Sequence, residues 1–196
     1  MPEHITENEF ENVIIVKNIS KCLSNDEQKE IEDMLRSNNI KIIFHEREHE
    51  PIASIFYNIP IYINEHLVEL IVTGLIAPTV YAIMVQVFSR LVKCIKKLFI
   101  ITGKGVEKEC NASIKIKLGK ADLEAIIPNN LNDEQFTQYM NMLPKTIRDL
   151  IKTQIPKVKE YEHFIVEYIV ETNSIKVTTI TQYVKEHYVN KSHNSR

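Results

Sequence analysis

The chain carries little that announces a chemistry. Its 196 residues include no tryptophan, four glycines and three cysteines. Cys22, Cys94 and Cys110 are odd in number, far apart and form no C-x-x-C pair. That pattern offers no disulfide framework and predicts reduced, unpaired thiols in a reducing compartment. No G-x-S-x-G elbow is present. Gly103-Lys104-Gly105 lacks the spacing and the Ser/Thr of a P-loop, so it reads as a turn.

An excess of one charge is missing too. Twenty-four basic residues face 26 acidic ones, a net charge of −2, which gives no reason to expect a nucleic acid or an anionic membrane surface as partner. Lys93, Lys96, Lys97 and Lys104 cluster, but no aromatic residues interleave with them as a single-strand platform requires. They read as a solvated helix end. The first twelve residues, MPEHITENEFEN, are acidic and polar, without the basic and apolar regions of a secretory signal. The expected location is therefore cytoplasmic. No internal repeat or low-complexity linker breaks the chain.

What is present is ordinary globular material, 44% hydrophobic and 26% charged. A chain of this length buries roughly 70% of its unfolded surface and needs no metal or disulfide to fold. Val13–Val16 and Ile40–Phe44 read as short strands around a helix that opens on the capping box Ser24-Asn25-Asp26-Glu27 and buries Ile31, Met34 and Leu35. Pro51 and Pro60 bracket a segment read as an edge strand or loop. Asn64 is the expected N-cap of a helix carrying Leu67, Leu70 and Ile71, and a second helix is expected from about Thr79 to Phe99. Ser113–Leu118 alternates Ile114 and Ile116 with Lys115 and Lys117 as a half-buried strand, and Leu123–Ile127 returns as its partner. Asn132-Asp133-Glu134-Gln135 caps a helix through Phe136, Met140 and Leu143, which Pro144 is expected to end or kink. Phe164–Val170 and Ile175–Val184 form a hairpin signal around Glu171–Ser174. His163 and His187 read as surface or strand residues without a ligand role.

These elements predict an α+β fold. Short, mainly antiparallel sheets would pack around a central apolar elbow of two helices broken near Pro78, with a C-terminal β-hairpin. Residues 1–158 form the expected core domain, 159–189 a hairpin packed on or extending it, and 190–196 a frayed tail.

The elbow carries the one long apolar run, Leu67 to Phe88, followed by a basic segment. About 20 apolar residues suffice to cross a bilayer. Against a span stand Glu69, Gln86 and the Gly74/Pro78 interruption, whose freed backbone groups would need other helices in lipid. Two core helices meeting near Pro78 are the expected reading, with a single span through 67–88 as the alternative.

One catalytic pattern needs weighing. His45-Glu46-Arg47-Glu48-His49 fits H-E-x-x-H, in which two histidines one helical turn apart bind zinc and the glutamate is general base. At these residues it resembles the zincin metallopeptidases. That resemblance implies Glu65 as third ligand and Glu69 as its neighbour, since Asn64-Glu65-His66-Leu67-Val68-Glu69 is similar to the downstream segment of the thermolysin-like group. The motif, however, continues a strand-like run, Ile40–Phe44, and Pro51 follows His49 by two residues. On a strand His45 and His49 share a face about 13 Å apart, too far to hold one ion. The expectation is no metal, no cofactor and no catalytic residue, with the zinc hydrolase of His45, Glu46, His49 and Glu65 as the alternative.

The order of elements resembles the small effector-associated adaptor domains found beside proteases and NTPases in bacterial conflict systems. The resemblance covers roughly Asn12 to Leu143 and rests on Gly74–Pro78, on Arg90-Leu91-Val92-Lys93 with Lys96-Lys97, and on Ser113–Ile127. The C-terminal hairpin is additional to that pattern. The resemblance implies an adaptor, immunity or counter-defence protein of bacterial or phage origin with no chemistry of its own. Its partner would be a protein or a second copy of the chain, and the C-terminal strands would offer an edge for pairing.

Overall fold

A computed structural model describes residues 11–17, 19, 22–45, 58–101 and 107–189. The strands are β1 (Val13–Lys17), β2 (Lys41–His45), β3 (Asn58–Ile63), β4 (Phe99–Ile101), β5 (Glu107–Glu109), β6 (Asn111–Leu118), β7 (Ala121–Ile127), β8 (Glu162–Ile169) and β9 (Ser174–Thr179). The helices are α1 (Asn25–Arg36), α2 (Glu65–Thr73), α3 (Pro78–Ile95), α4 (Asp133–Thr153) and α5 (Ile180–Val184). Seven strands form one sheet in the order β2-β1-β3-β6-β7-β8-β9, and β4 pairs with β5 as a separate ribbon.

The α+β class stands, but the sheet is mixed rather than mainly antiparallel. β1–β2, β3–β6 and β7–β8 are parallel, while β1–β3, β6–β7 and β8–β9 are antiparallel. A parallel neighbour needs a long crossover, and each parallel pair here is joined through helix: α1, then α2 with α3, then α4. Turn signals favour the antiparallel reading because they are local, whereas these crossovers are not. The Gly119 turn (φ +60°) does close an antiparallel pair, β6–β7. β3 is an interior strand despite Pro60, and its pairing with β1 stops at Ile61, short of the proline.

The helix starts follow their caps. The Ser24–Glu27 box is formed in both directions, at 3.3 and 2.8 Å, and Asn132 with Gln135 does the same at 2.8 and 3.0 Å. Asn64 Oδ1 accepts from Leu67 N–H and also from Val13 N–H at 3.0 Å, so the α2 cap is tied to the first residue of β1. α2 ends at Gly74, whose φ of 78° is left-handed, and α3 begins on Pro78 at its first turn. Leu67–Phe88 is therefore two helices. Among the described residues, α3 alone is long and apolar enough to cross a membrane (18 residues, mean hydropathy 1.2), with 39% of that stretch buried. It sends Met84, Val87, Phe88, Leu91 and Ile95 into the core, and it stops at Ile95, short of the expected Phe99, which opens β4.

Pro144 neither ends nor visibly divides its helix: α4 runs unbroken from Asp133 to Thr153. Proline has no N–H for the carbonyl four residues back, which is that of Met140. The Tyr81 hydroxyl on α3 donates to that carbonyl instead. The orphan acceptor is thus satisfied from a neighbouring helix, and the interruption becomes an interhelical bond. Burial pushes the Tyr81 hydroxyl pKa up, so it stays a donor.

All four long helices share one core with one face of the sheet. Ile14, Ile42, Ile61, Ile114, Leu123 and Phe164 line that face, against Leu35, Leu67, Leu91 and Tyr139. On the opposite face a smaller cluster joins Ile126 and Ile165 to Ile180 and Tyr183. The latter two come from α5, where a continuation of the hairpin strand to Val184 is expected. Thr179 caps the turn into helix by accepting from Gln182 N–H at 3.3 Å.

The cysteines also depart from expectation. Cys22 and Cys94 are disulfide-bonded, their Cα atoms 5.5 Å apart, and Cys110 is a buried free thiol. A sequence separation of 72 hides the pairing; folding α1 against the end of α3 creates it.

The Tyr81–Pro144 coupling predicts a non-additive cycle. Tyr81→Phe should cost about 1–3 kcal/mol in urea denaturation, because a carbonyl loses its donor. In a Pro144→Ala background, where residue 144 regains its N–H, the same change should cost about 1 kcal/mol less. Equal costs in the two backgrounds would contradict the coupling.

Candidate functional site

α2 and the C-terminal half of α4 face each other across a groove of about 810 Å³. Its walls are two matched stripes. On α2 the lining residues are Glu65, Val68, Glu69 and Val72; on α4 and the turn after it they are Arg148, Ile151, Lys152 and Ile155. Both sets follow the i, i+3, i+4, i+7 spacing of one helical face. Each stripe alternates charge with aliphatic carbon, acidic on one wall and basic on the other. Leu118 and Gly119, at the β6–β7 turn, close one end. Among the described residues no ion pair joins the two walls.

Two local features hold the groove in shape. Arg148 Nε donates to the Val72 carbonyl in the last turn of α2, which pins α4 to the helix opposite. Tyr139, fully buried in the first half of α4, donates to the Val166 carbonyl at 3.2 Å and stacks on Tyr168 at 5.3 Å, seating α4 on β8. Leu75, one residue beyond the α2 cap, is 74% exposed beside the groove-lining Thr73.

The residues singled out from sequence scatter. Glu65 and Glu69 stand in the groove wall. His45 ends β2 opposite Lys17, whereas Asn64, just ahead of Glu65, bonds to Val13 at the other end of β1. Four residues of strand, about 13 Å, and two interstrand spacings, about 10 Å, separate their backbones. The structure does not bring His45 and Glu65 together. Glu46 and His49 lie outside the described residues. Among the described residues no three His, Cys, Asp or Glu side chains are grouped to hold a metal.

Sequence reading missed a charged cluster on the sheet face away from the helices. Glu124 on β7 is 1% exposed. Lys115 Nζ lies 3.2 Å from its Oε2, and His163 Nε2 lies 3.5 Å away, within ion-pair reach but not aligned as a hydrogen bond. Read as the partner of the half-buried strand Ser113–Leu118, Leu123–Ile127 puts Glu124 on the face away from the helices, a face the alternation of Lys115 and Lys117 marks as solvent. The apolar Ile126 in the same alternating set was the available signal that this face is covered too.

The basic end of α3 is likewise not simply solvated. Arg90 pairs with Glu30 at 2.8 Å, Lys93 with Asp133 at 2.8 Å, and Lys96 donates to the Leu131 carbonyl at 3.0 Å. Burial holds the Lys96 pKa below its usual range. These side chains join α3 to α1 and to the start of α4.

Comparison with known proteins finds no matching family, no matching curated protein and no matching solved structure.

The buried carboxylate generates a stability test. Lys115→Met should destabilise the fold by about 2–3 kcal/mol, because the buried Glu124 carboxylate loses the ammonium 3.2 Å away. Replacing both, Lys115→Met with Glu124→Leu, should recover most of that loss in denaturant melts. A double variant at least as unstable as the single one would show that Lys115 does not serve as the counter-charge.

Proposed function

We propose that the chain is a non-enzymatic protein-binding module of the adaptor, immunity or counter-defence kind, acting in the cytoplasm. The α2/α4 groove is its docking surface, and the occupant is one amphipathic helix of a protein partner.

The observation that carries this reading is the pair of facing stripes. Aliphatic residues at one-turn intervals accept the anchors of a helix laid in a groove. The charges of opposite sign on the two walls, which form no ion pair with one another among the described residues, ask for a helix with basic residues along its flank toward Glu65 and Glu69, and acidic residues along its flank toward Arg148 and Lys152. Such complementarity sets orientation and register more than raw affinity. Exposed Leu75 extends the contact beyond the groove's end and supplies the kind of large apolar surface group that soluble faces otherwise keep sparse. The sheet edge at β9 is a weaker docking surface, since Lys176 on it is already paired to Glu186.

A photo-crosslinking amino acid placed at Leu75 in the full chain tests this in cells. The expected product is a single adduct with a different protein. It should fall at least about tenfold when Ile155→Asp places a charge among the aliphatic positions of the α4-side wall in a still-folded protein. An adduct only with a second copy, no adduct, or one indifferent to Ile155→Asp would each contradict the reading.

A further inference from the structure

We propose that the Cys22–Cys94 disulfide is a reversible exchange site for small anionic thiols of the glutathione class, rather than an inert staple. The inference is independent of the groove. Three observations carry it. A cavity of about 290 Å³ opens directly onto the bond and is lined by both cysteines. The two sulfurs differ in access: Cys22 is half-buried in the turn before α1, whereas Cys94, on the last turn of α3, is 4% exposed. The same cavity is walled by three cations, Arg90, Lys93 and Lys97, against two carboxylates, Glu27 and Glu30. Arg90 and Lys93 are paired to Glu30 and Asp133, and Lys97, exposed, forms no ion pair among the described residues.

The chemistry follows from that layout. A small thiolate enters and attacks Cys22 Sγ, the reachable sulfur. A mixed disulfide forms on Cys22, the Cys22–Cys94 bond breaks, and its electron pair leaves on Cys94 Sγ. Cys94 sits at a helix C-terminus, where the dipole disfavours a thiolate, and the cations on either side of it oppose that effect. A second small thiolate attacks the mixed disulfide at the non-protein sulfur, releasing Cys22 and forming the small-molecule disulfide. The two cysteine sulfurs take protons from solvent. Two small thiols are oxidised and one protein disulfide is reduced, so the electrons balance. With Arg90 and Lys93 already paired, Lys97 is the excess cation of the lining and favours carboxylate-bearing thiols over neutral ones of similar size.

The bond ties the turn ahead of α1 to the end of α3 across 72 residues of sequence. Opening it removes a long-range constraint on the unfolded chain and lowers stability. Cys110 takes no part: it is fully buried, and burial pushes its thiol pKa up.

The test uses the full, folded chain in glutathione redox buffers without denaturant. Acid quenching followed by maleimide labelling in denaturant should show two cysteines besides Cys110 becoming modifiable as reduced glutathione rises, reversed by oxidised glutathione. The melting temperature should fall by roughly 10 °C across the same range. Cys22→Ser with Cys94→Ser should melt at the reduced protein's temperature and ignore the buffer. Lys97→Glu should slow exchange with glutathione relative to 2-mercaptoethanol. Overturning results are a bond that yields only after denaturation, three modifiable thiols in protein purified under air, or a Lys97→Glu effect equal for both thiols.

Discussion

The fold depends on how one missing hydrogen-bond donor is replaced. Pro144 stands in the middle of a 21-residue helix and leaves the Met140 carbonyl without its partner. An unsatisfied, partly buried carbonyl costs enough to bend or end the helix. The Tyr81 hydroxyl removes that cost from the side, so α4 continues for two more turns. Those turns carry Arg148, Ile151 and Lys152, and Ile155 follows directly. The groove's basic wall therefore exists because a tyrosine on α3 satisfies a carbonyl on α4. Arg148 repeats the device one step further on, bonding to the Val72 carbonyl at the end of α2. Side chains of α3 and α4 thus complete the backbones of α4 and α2.

The mixed sheet explains why the helices are available to do this. Each parallel pair draws a helical crossover over the sheet, and here all the long helices pack against the same face. Crowding four helices onto one layer forces direct contact between α1 and α3, α3 and α4, and α2 and α4. The first of these contacts brings Cys22 to Cys94. The second carries the Tyr81 bond, and the third leaves the groove. The opposite face is closed differently, with a small apolar cluster under α5 and the buried Glu124 beside Lys115.

Legibility from sequence followed the range of the interactions. Ser24, Asn64 and Asn132 announce their helices because a cap acts within three residues. Gly74 and Pro78 divide the apolar run for equally local reasons. What stayed hidden is carried by long-range pairs. Pro144 reads as a break unless Tyr81, 59 residues before Met140 in the sequence, is known to face that carbonyl. Cys22 and Cys94 read as strangers until α1 lies on α3. Glu65 and Glu69 fit a metal-site pattern in the sequence and belong instead to a groove wall, because the α2 face that carries them looks toward α4 and not toward His45. The matched basic stripe, Arg148 to Ile155, is regular enough to find. Its meaning needed a helix that does not stop at Pro144.

The most direct test of this chain of dependence is a distance measurement across the groove. Spin labels introduced through unnatural amino acids at Glu69 and Lys152 report the separation of its two walls by pulsed electron resonance. The account predicts one narrow distance distribution in the native chain and a broadened or shifted one in Tyr81→Phe. An unchanged narrow distribution in folded Tyr81→Phe would contradict it.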